Sequence, residues 1–180
     1  VADGYYGTTF WDQETFMAPP LLLFFPDIGR NFLQHRLFSL PAYKLNAAAF
    51  GLKGAYIPWE TGATGGFARD NRINHIEVHV TADVAIFIKQ YYQLTRNTTA
   101  LRELFPLLEA ISDFVVSRVN RTNEHGEFSI ETVEGSDEHP KDCDNDIFTN
   151  AAFVHALEIT LDAVNTLGIP AQSNHHKWRE

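Results

Sequence analysis

The sequence lacks the features of several common protein classes. Its single cysteine, Cys143, cannot form a disulfide within the chain. It has 14 basic against 23 acidic residues, and the net charge of −9 repels nucleic acid and anionic membrane surfaces. Its uninterrupted apolar runs, such as residues 21–25, are far shorter than the ~20 residues of a membrane-spanning helix. We therefore expect neither a nucleic-acid partner nor a membrane partner.

Motifs of well-known cofactor sites are also missing. The glycines at 62, 65 and 66 follow no predicted strand and lack the spacing of a dinucleotide-binding loop. His75 and His79 lie four residues apart, but a zinc deaminase also needs a Pro-Cys-x-x-Cys element, which one cysteine cannot supply. The sequence therefore predicts no metal ion and no other cofactor.

The apolar residues that are present follow a helical period. With 44% hydrophobic residues in 180 positions, the chain can form the core of one domain. Helical spacing covers residues 27–50, interrupted by Pro41, and residues 76–94. A further helix follows a cap at Thr98–Thr99, and another covers residues 150–167 before Gly168. The pattern predicts an all-α fold.

Two long loops separate these helices. They cover residues 51–74 and 120–146, and loops longer than about 12 to 15 residues in a small domain are usually functional or disordered. Strand-forming residues occur only in a short part of the second loop, residues 126–133. We expect the functional residues to lie in these loops.

Two pairs of a tryptophan and an acid are typical of carbohydrate sites. They are Trp11–Asp12 and Trp59–Glu60. An indole face packs on the apolar face of a sugar ring, and a carboxylate accepts hydrogen bonds from two hydroxyl groups. The alternative is a buried tryptophan beside a solvated carboxylate.

The second loop ends in an acidic run. Residues 134–146 contain six carboxylates and lead directly into the last predicted helix. A solvated acidic loop is one interpretation and a divalent-cation loop another, although the calcium-loop pattern does not fit. The position of the run in the longest loop favours a functional role.

Four segments match a known family in order. They are residues 4–17 (Gly-Tyr-Tyr-Gly-Thr-Thr-Phe-Trp-Asp-Gln-Glu-Thr-Phe-Met), 34–37 (Gln-His-Arg-Leu), 53–62 (Lys-Gly-Ala-Tyr-Ile-Pro-Trp-Glu-Thr-Gly) and 77–83 (Glu-Val-His-Val-Thr-Ala-Asp). These segments resemble glycoside hydrolase family 65, especially its acid trehalase-like and protein-glucosylgalactosylhydroxylysine glucosidase-like members. The likeness covers nearly the whole chain.

The acidic run carries the most specific part of this resemblance. Asp137–Glu138, five intervening residues and residues 144–150 (Asp-Asn-Asp-Ile-Phe-Thr-Asn) keep the family's spacing without a gap. The resemblance makes Glu138 the general acid. Ser136, His139–Pro140 and Asp146 depart from the family's usual residues.

The family resemblance implies an (α/α)6 barrel of about twelve helices. We expect residues 1–180 to be about half of that catalytic domain, with an N-terminal β-sandwich domain and the rest of the barrel outside this chain. The implied activity is inverting hydrolysis of α-glucosidic bonds, which needs a base ~6.5 to 9.5 Å from the acid. That base is expected outside this chain, so the 180 residues alone should be inactive.

The resemblance also implies a substrate class and its contacts. The substrate is a small carbohydrate such as a trehalose-like disaccharide, or a glucosylated hydroxylysine, held by Trp11, Asp12, Trp59 and Glu60. His79 and Asp83 are second choices, with helix-start polar contacts as their alternative role. A disaccharide phosphorylase and a non-catalytic carbohydrate-binding or structural domain remain alternatives.

The oligomeric state and the compartment both stay open. The sequons at Asn97 and Asn120 are compatible with a secretory or lysosomal route, but they do not require one.

Overall fold

The protein is mainly helical, as the sequence predicts. The structure is a computed structural model, and it describes residues 6–119, 121–122, 125–138, 142–170, 175–176 and 178. A π-helix, Gln13–Met17, precedes the first α-helix. The α-helices of the described residues are α1 (Ala18–Phe24), α2 (Pro26–Phe38), α3 (Leu40–Ala49), α4 (Ile73–Ile76), α5 (His79–Thr95), α6 (Thr98–Arg118) and α7 (Ile147–Leu167).

Helices α5, α6 and α7 pack against one another and form most of the core. Asn97 caps α6 by accepting a hydrogen bond from the amide of Ala100 at 2.9 Å, so the cap lies one residue before the predicted Thr98–Thr99. Gly168 ends α7 with a φ of +62°, a conformation that glycine adopts without steric cost. By length and composition α7 could cross a membrane, yet many of its side chains are buried among the other helices.

The predicted interruption of residues 27–50 is confirmed. Helix α2 ends at Phe38, and Pro41 lies in the first turn of α3, where its missing amide hydrogen costs nothing. The break changes the phase of the apolar stripe. Leu33 and Leu40 are buried, whereas Leu45, predicted on the same face, is 72% exposed.

The segment of residues 13–24 was not predicted as helical. Pro19 and Pro20 lie at the start of α1, where proline's fixed φ suits the first turn. Several large apolar side chains of this region and of α2 and α3 face outward: Leu23, Phe24, Phe25, Phe38 and Leu45.

Two very short antiparallel ladders complete the fold. Strand β1 (Thr9–Phe10) pairs with β2 (Glu60–Thr61), joining two parts of the chain about 50 positions apart. Strand β3 (Arg121–Thr122) pairs with β4 (Phe128–Ser129) inside the second long loop, where a short strand was predicted. The first ladder brings the predicted sugar-binding pairs together.

Candidate active site

The pairing of β1 with β2 brings both tryptophan–acid pairs into one place. Phe10 lies opposite Glu60 in the ladder, so Trp11 and Asp12 leave β1 beside the point where Trp59 enters β2. The rings of Phe10 and Trp59 lie 6.0 Å apart. Trp11 is 7% exposed, whereas Trp59 is half-buried. Two segments without any strand-like pattern therefore form one wall of the candidate active site.

Backbone and side-chain contacts join the described parts of the acidic run on the two sides of residues 139–141. The amide of Val133 donates to the carbonyl of Cys143 at 2.9 Å, and the reverse bond is 2.8 Å long. Arg72 pairs with Glu134 at 2.7 Å and with Asp142 at 3.1 Å. These carboxylates stand four residues before and four residues after Glu138. Arg72 therefore holds both sides of the loop that carries Glu138.

Glu138 projects from this loop toward the two tryptophans. Its amide donates to the carbonyl of Gly135 at 3.1 Å, and its φ of +50° gives the backbone a left-handed turn that is uncommon for a residue with a side chain. The indole nitrogens of Trp11 and Trp59 both donate to Oε1 of Glu138, at 3.3 and 3.0 Å. Glu138 is exposed, so its carboxyl group is accessible to a ligand.

Asp12 lies within electrostatic reach of Glu138. Partial burial raises the pKa of Asp12 above its ordinary value, a backbone hydrogen bond lowers it, and the charge of Glu138 raises it further. The side chain is half-buried beside Trp11. Three of the four predicted sugar-binding residues, Trp11, Asp12 and Trp59, thus surround the predicted acid.

Glu60, the fourth of these residues, lies deeper. Its side chain is fully buried and accepts a hydrogen bond from the hydroxyl of Thr8 at 2.5 Å. Nε of Arg69 lies 3.2 Å from its other oxygen. Its amide donates to Oδ1 of Asn74 at 2.7 Å. In this structure Glu60 holds loops together, and its contact with a sugar stays a prediction.

A buried ion pair supports the π-helix that follows Asp12. Nε and Nη2 of Arg36 donate to the two carboxylate oxygens of Glu14, each at 2.8 Å. Arg36 also donates to the hydroxyl groups of Tyr43 and Thr61, at 3.0 and 3.3 Å. In such a bidentate, fully hydrogen-bonded pair, the attraction between the charges offsets the cost of removing them from water. Sequence reasoning missed it, because nothing in the local pattern marks Glu14 or Arg36 as buried.

A second buried polar cluster lies behind Trp11. His79 is fully buried, with Nδ1 2.8 Å from Oδ2 of Asp83 and Nε2 2.9 Å from Oε1 of Glu77. Burial lowers the pKa of His79, but the two hydrogen-bonded carboxylates outweigh it and raise the pKa to about 9. Burial also raises the pKa of Glu77, to about 7, against the opposing effect of His79. The glutamate and histidine of the Glu-Val-His segment and the aspartate of the following helix therefore act as one coupled group.

Two further carboxylates of the acidic run have local structural roles. Asp146 caps α7 by accepting from the amide of Thr149 at 2.7 Å, and Asp144 accepts from the amide of Thr132 at 2.9 Å. Within the described residues, no group of three or more His, Cys, Asp or Glu side chains could hold a metal ion. His139–Pro140 and the sequon asparagine Asn120 lie outside the described residues.

A separate groove of about 510 Å³ lies between α6, α7 and the hairpin of the second loop. Apolar side chains form most of its wall, among them Val115, Phe153 and Trp178. None of the predicted site residues lines it. The candidate active site is instead the open surface around Glu138.

Curated relatives resemble this chain over nearly all of its length. A kojibiose hydrolase of Flavobacterium johnsoniae is 37% identical over 173 residues, which are 93% of this chain and 25% of the relative. A protein-glucosylgalactosylhydroxylysine glucosidase of Gallus gallus is 33% identical, over 93% of this chain and 24% of the relative. A kojibiose phosphorylase of Halothermothrix orenii is 32% identical, over 92% and 23%. The chain thus spans about a quarter of the length of these relatives.

A solved structure shares the fold. A candidate kojibiose phosphorylase from the human microbiome superposes with a TM-score of 0.86 at 21% identity, over 97% of this chain and 25% of that chain. This likeness agrees with the predicted (α/α)6 barrel. The profile of the glycosyl hydrolase family 65 central catalytic domain matches residues 1–180. Because that match includes every residue of the sequence, the chain belongs to glycosyl hydrolase family 65.

Proposed function

We propose that the protein containing this chain hydrolyses α-glucosidic bonds with inversion, and that Glu138 is the general acid. The observation that carries the proposal is the convergence of the Trp11 and Trp59 indoles on one carboxylate oxygen of the exposed Glu138. The aromatic side chains offer a surface for a sugar ring, and the accessible carboxyl group supplies one of the two carboxyl groups that cleavage of a sugar bond needs.

The hydrogen bonds suggest which oxygen carries the proton. Oε1 of Glu138 already accepts two N–H groups. The proton of the acid form therefore belongs on Oε2, from which it passes to the glycosidic oxygen as the bond to the anomeric carbon breaks. As that bond breaks, a water molecule attacks the anomeric carbon from the opposite face and gives its proton to a base whose carboxyl group lies ~6.5 to 9.5 Å from the acid. We place that base outside this chain.

Trp11, Asp12, Trp59 and Glu60 would hold the non-reducing glucose. The half-buried Trp59 offers an apolar face to the ring, Trp11 offers the edge that its burial leaves open, and Asp12 offers an acceptor for the hydroxyl groups of the sugar. Glu60 would need to exchange part of its contact with Thr8 or Arg69 for a sugar hydroxyl. Kojibiose is the first substrate to test, because two of the relatives are named for it. Glucosylgalactosyl-hydroxylysine and trehalose follow.

We also propose that the chain is about half of its barrel. Leu23, Phe24 and Phe38 are more than half exposed, and such large apolar side chains are typical of a surface that further helices cover. An N-terminal β-sandwich domain would precede the barrel. This proposal agrees with the share of the relatives that the chain spans.

Phosphorolysis is the second candidate, since a kojibiose phosphorylase is nearly as similar as the hydrolase. The full-length protein should be incubated with kojibiose, trehalose and glucosylgalactosyl-hydroxylysine, with and without inorganic phosphate. Hydrolysis predicts free glucose at a rate that phosphate does not change. Glucose 1-phosphate would overturn the hydrolase assignment, and no turnover of any α-glucoside would favour a non-catalytic domain.

A further inference from the structure

His79 lies one layer behind the proposed acid and cannot itself touch a substrate, because it is fully buried. Both of its ring nitrogens are engaged, with Glu77 and with Asp83. Rotation of the ring about its bond to Cβ would break both hydrogen bonds. The imidazole is therefore fixed more firmly than packing alone would fix it.

The fixed ring packs against Trp11. The two ring centres lie 5.2 Å apart at an angle of 84°, within the range of favourable edge-to-face contacts. The His79 ring also contacts Phe148, at the start of α7. Their ring centres lie 4.8 Å apart, again at an angle of 84°. The imidazole thus links α7 to the indole that donates to Glu138.

The same cluster also contacts the acid's loop through the backbone. The amide of Glu134 donates to the carbonyl of Ile76 at 3.1 Å, next to Glu77. The cluster is therefore connected to Glu138 in two ways, through the Trp11 indole and through the backbone at the start of the loop that carries Glu138.

We propose that His79 is a positioning residue of the active site, which fixes the Trp11 indole and through it the orientation of Glu138. The inference rests on the proposed function of Glu138 and extends it to a group behind the site. It applies equally to hydrolysis and to phosphorolysis, because both need the acid.

The test is a double-mutant cycle in the full-length protein. His79→Gln and Glu138→Gln are made singly and together. Each is assayed on kojibiose, or on whichever of the three α-glucosides is turned over best, and on α-glucosyl fluoride. Fluoride leaves with little proton transfer, so its release reports the fold and the sugar contacts more than the acid.

A positioning role predicts a loss that depends on the acid. His79→Gln should lower kcat on the disaccharide by about 10- to 100-fold, the range that coupled neighbours produce. The loss on α-glucosyl fluoride should stay below about threefold. When His79→Gln is added to the Glu138→Gln variant, turnover of the disaccharide should likewise fall by less than about threefold. His75→Gln is the matched control. His75 lies four residues earlier and packs on Phe50 and Phe67, away from Trp11, so its variant should keep the parent kcat on both substrates.

A purely structural role gives a different result. Equal losses on both substrates, or the same loss with and without the Glu138 carboxyl group, would overturn the inference. If His79→Gln does not fold, Asp83→Asn keeps the imidazole and the side-chain volume and should show the same substrate dependence in weaker form. If Glu138→Gln alone leaves disaccharide turnover intact, the proposed function fails and the inference fails with it.

Discussion

The indole nitrogen of Trp59 lies 3.0 Å from Oε1 of Glu138, 79 positions later in the chain. Because Trp11 donates to the same oxygen, the carboxyl group is held on one side and left accessible on the other. An acid oriented in this way presents Oε2 to a leaving group without having to reorient first. This relationship leads to predictions about the acid, its donors and its loop.

Replacing Glu138 by glutamine removes the proton and keeps the shape of the side chain. General acids contribute ~10² to 10⁴-fold, so turnover of kojibiose by the full-length Glu138→Gln variant should fall by at least 10²-fold. α-Glucosyl fluoride should lose far less. Steady-state kinetics on both substrates check this. Full disaccharide activity in the variant would mean that another residue is the acid.

Replacing Trp59 by phenylalanine keeps an aromatic face but removes one donor to Glu138. The acid form of Glu138 is uncharged, and a hydrogen bond to an uncharged group is worth ~0.5 to 1.5 kcal/mol, so kcat should fall by about two- to tenfold, with a smaller change in KM. The control is Trp178→Phe, which removes the indole donor to Asp113 in another part of the fold. A fall of equal size in the control would point to a general loss of structure.

Arg72 should matter for catalysis more than for stability. Its side chain is 44% exposed, so its two ion pairs should contribute at most about 1 kcal/mol to the free energy of unfolding. Arg72→Gln releases the sides of the acid's loop, and a misplacement of ~1 Å can cost up to 10²-fold in rate. We expect kcat to fall by roughly tenfold. Arg30→Gln, which breaks the exposed pair with Glu103, should leave kcat unchanged.

The cluster around His79 predicts a stability that falls as the pH rises. The pKa values of His79, about 9, and of Glu77, about 7, both exceed their ordinary values. The folded protein therefore binds these protons more tightly than the unfolded chain does. The His79 contribution is complete below its ordinary pKa of 6.5 and is lost as the pH rises through about 9. Urea unfolding from pH 6 to 9.5 should show this fall in the full-length protein. The fall should be weaker in His79→Gln, and an identical pH dependence in that variant would contradict the assignment.

Gly54 should tolerate no side chain. A Cβ there would lie 2.1 Å from the carbonyl oxygen of Ala110 and 2.3 Å from the amide nitrogen of Phe114, both in the backbone of α6. Gly51 has a similar φ, +70° against +74°, but nothing within 4 Å of its Cβ position. Gly54→Ala should therefore lower the free energy of unfolding by at least ~2 kcal/mol more than Gly51→Ala. Similar values for the two variants would show that only the backbone conformation matters.

Periodicity and spacing predicted the long helices because burial on one face of a helix leaves a repeating pattern in the sequence. The resemblance to glycosyl hydrolase family 65 singled out Glu138, which the structure places beside Trp11 and Trp59. By contrast, the ladder of Phe10 with Glu60 is too short to produce an alternating pattern. It joins segments about 50 positions apart, and a local pattern carries no information about such a distant partner.

The buried charges were hidden for a related reason. Glu14 and Arg36 resemble surface residues in sequence, and only the folded chain brings them to 2.8 Å. His79 and Asp83 have helical spacing, but the third member, Glu77, lies before the helix. A cluster built across a helix boundary has no single period to detect.

The pairing of Phe10 with Glu60 also sets a rule for exchanging parts between related enzymes. The segment with Trp11 and the segment with Trp59 share one ladder, and Arg36 reaches both Glu14 and Thr61. Residues 6–17 and 57–61 therefore form one transferable unit although they are distant in sequence. A chimera that exchanges only one of them would pair β1 of one parent with β2 of the other, so the two must be moved together.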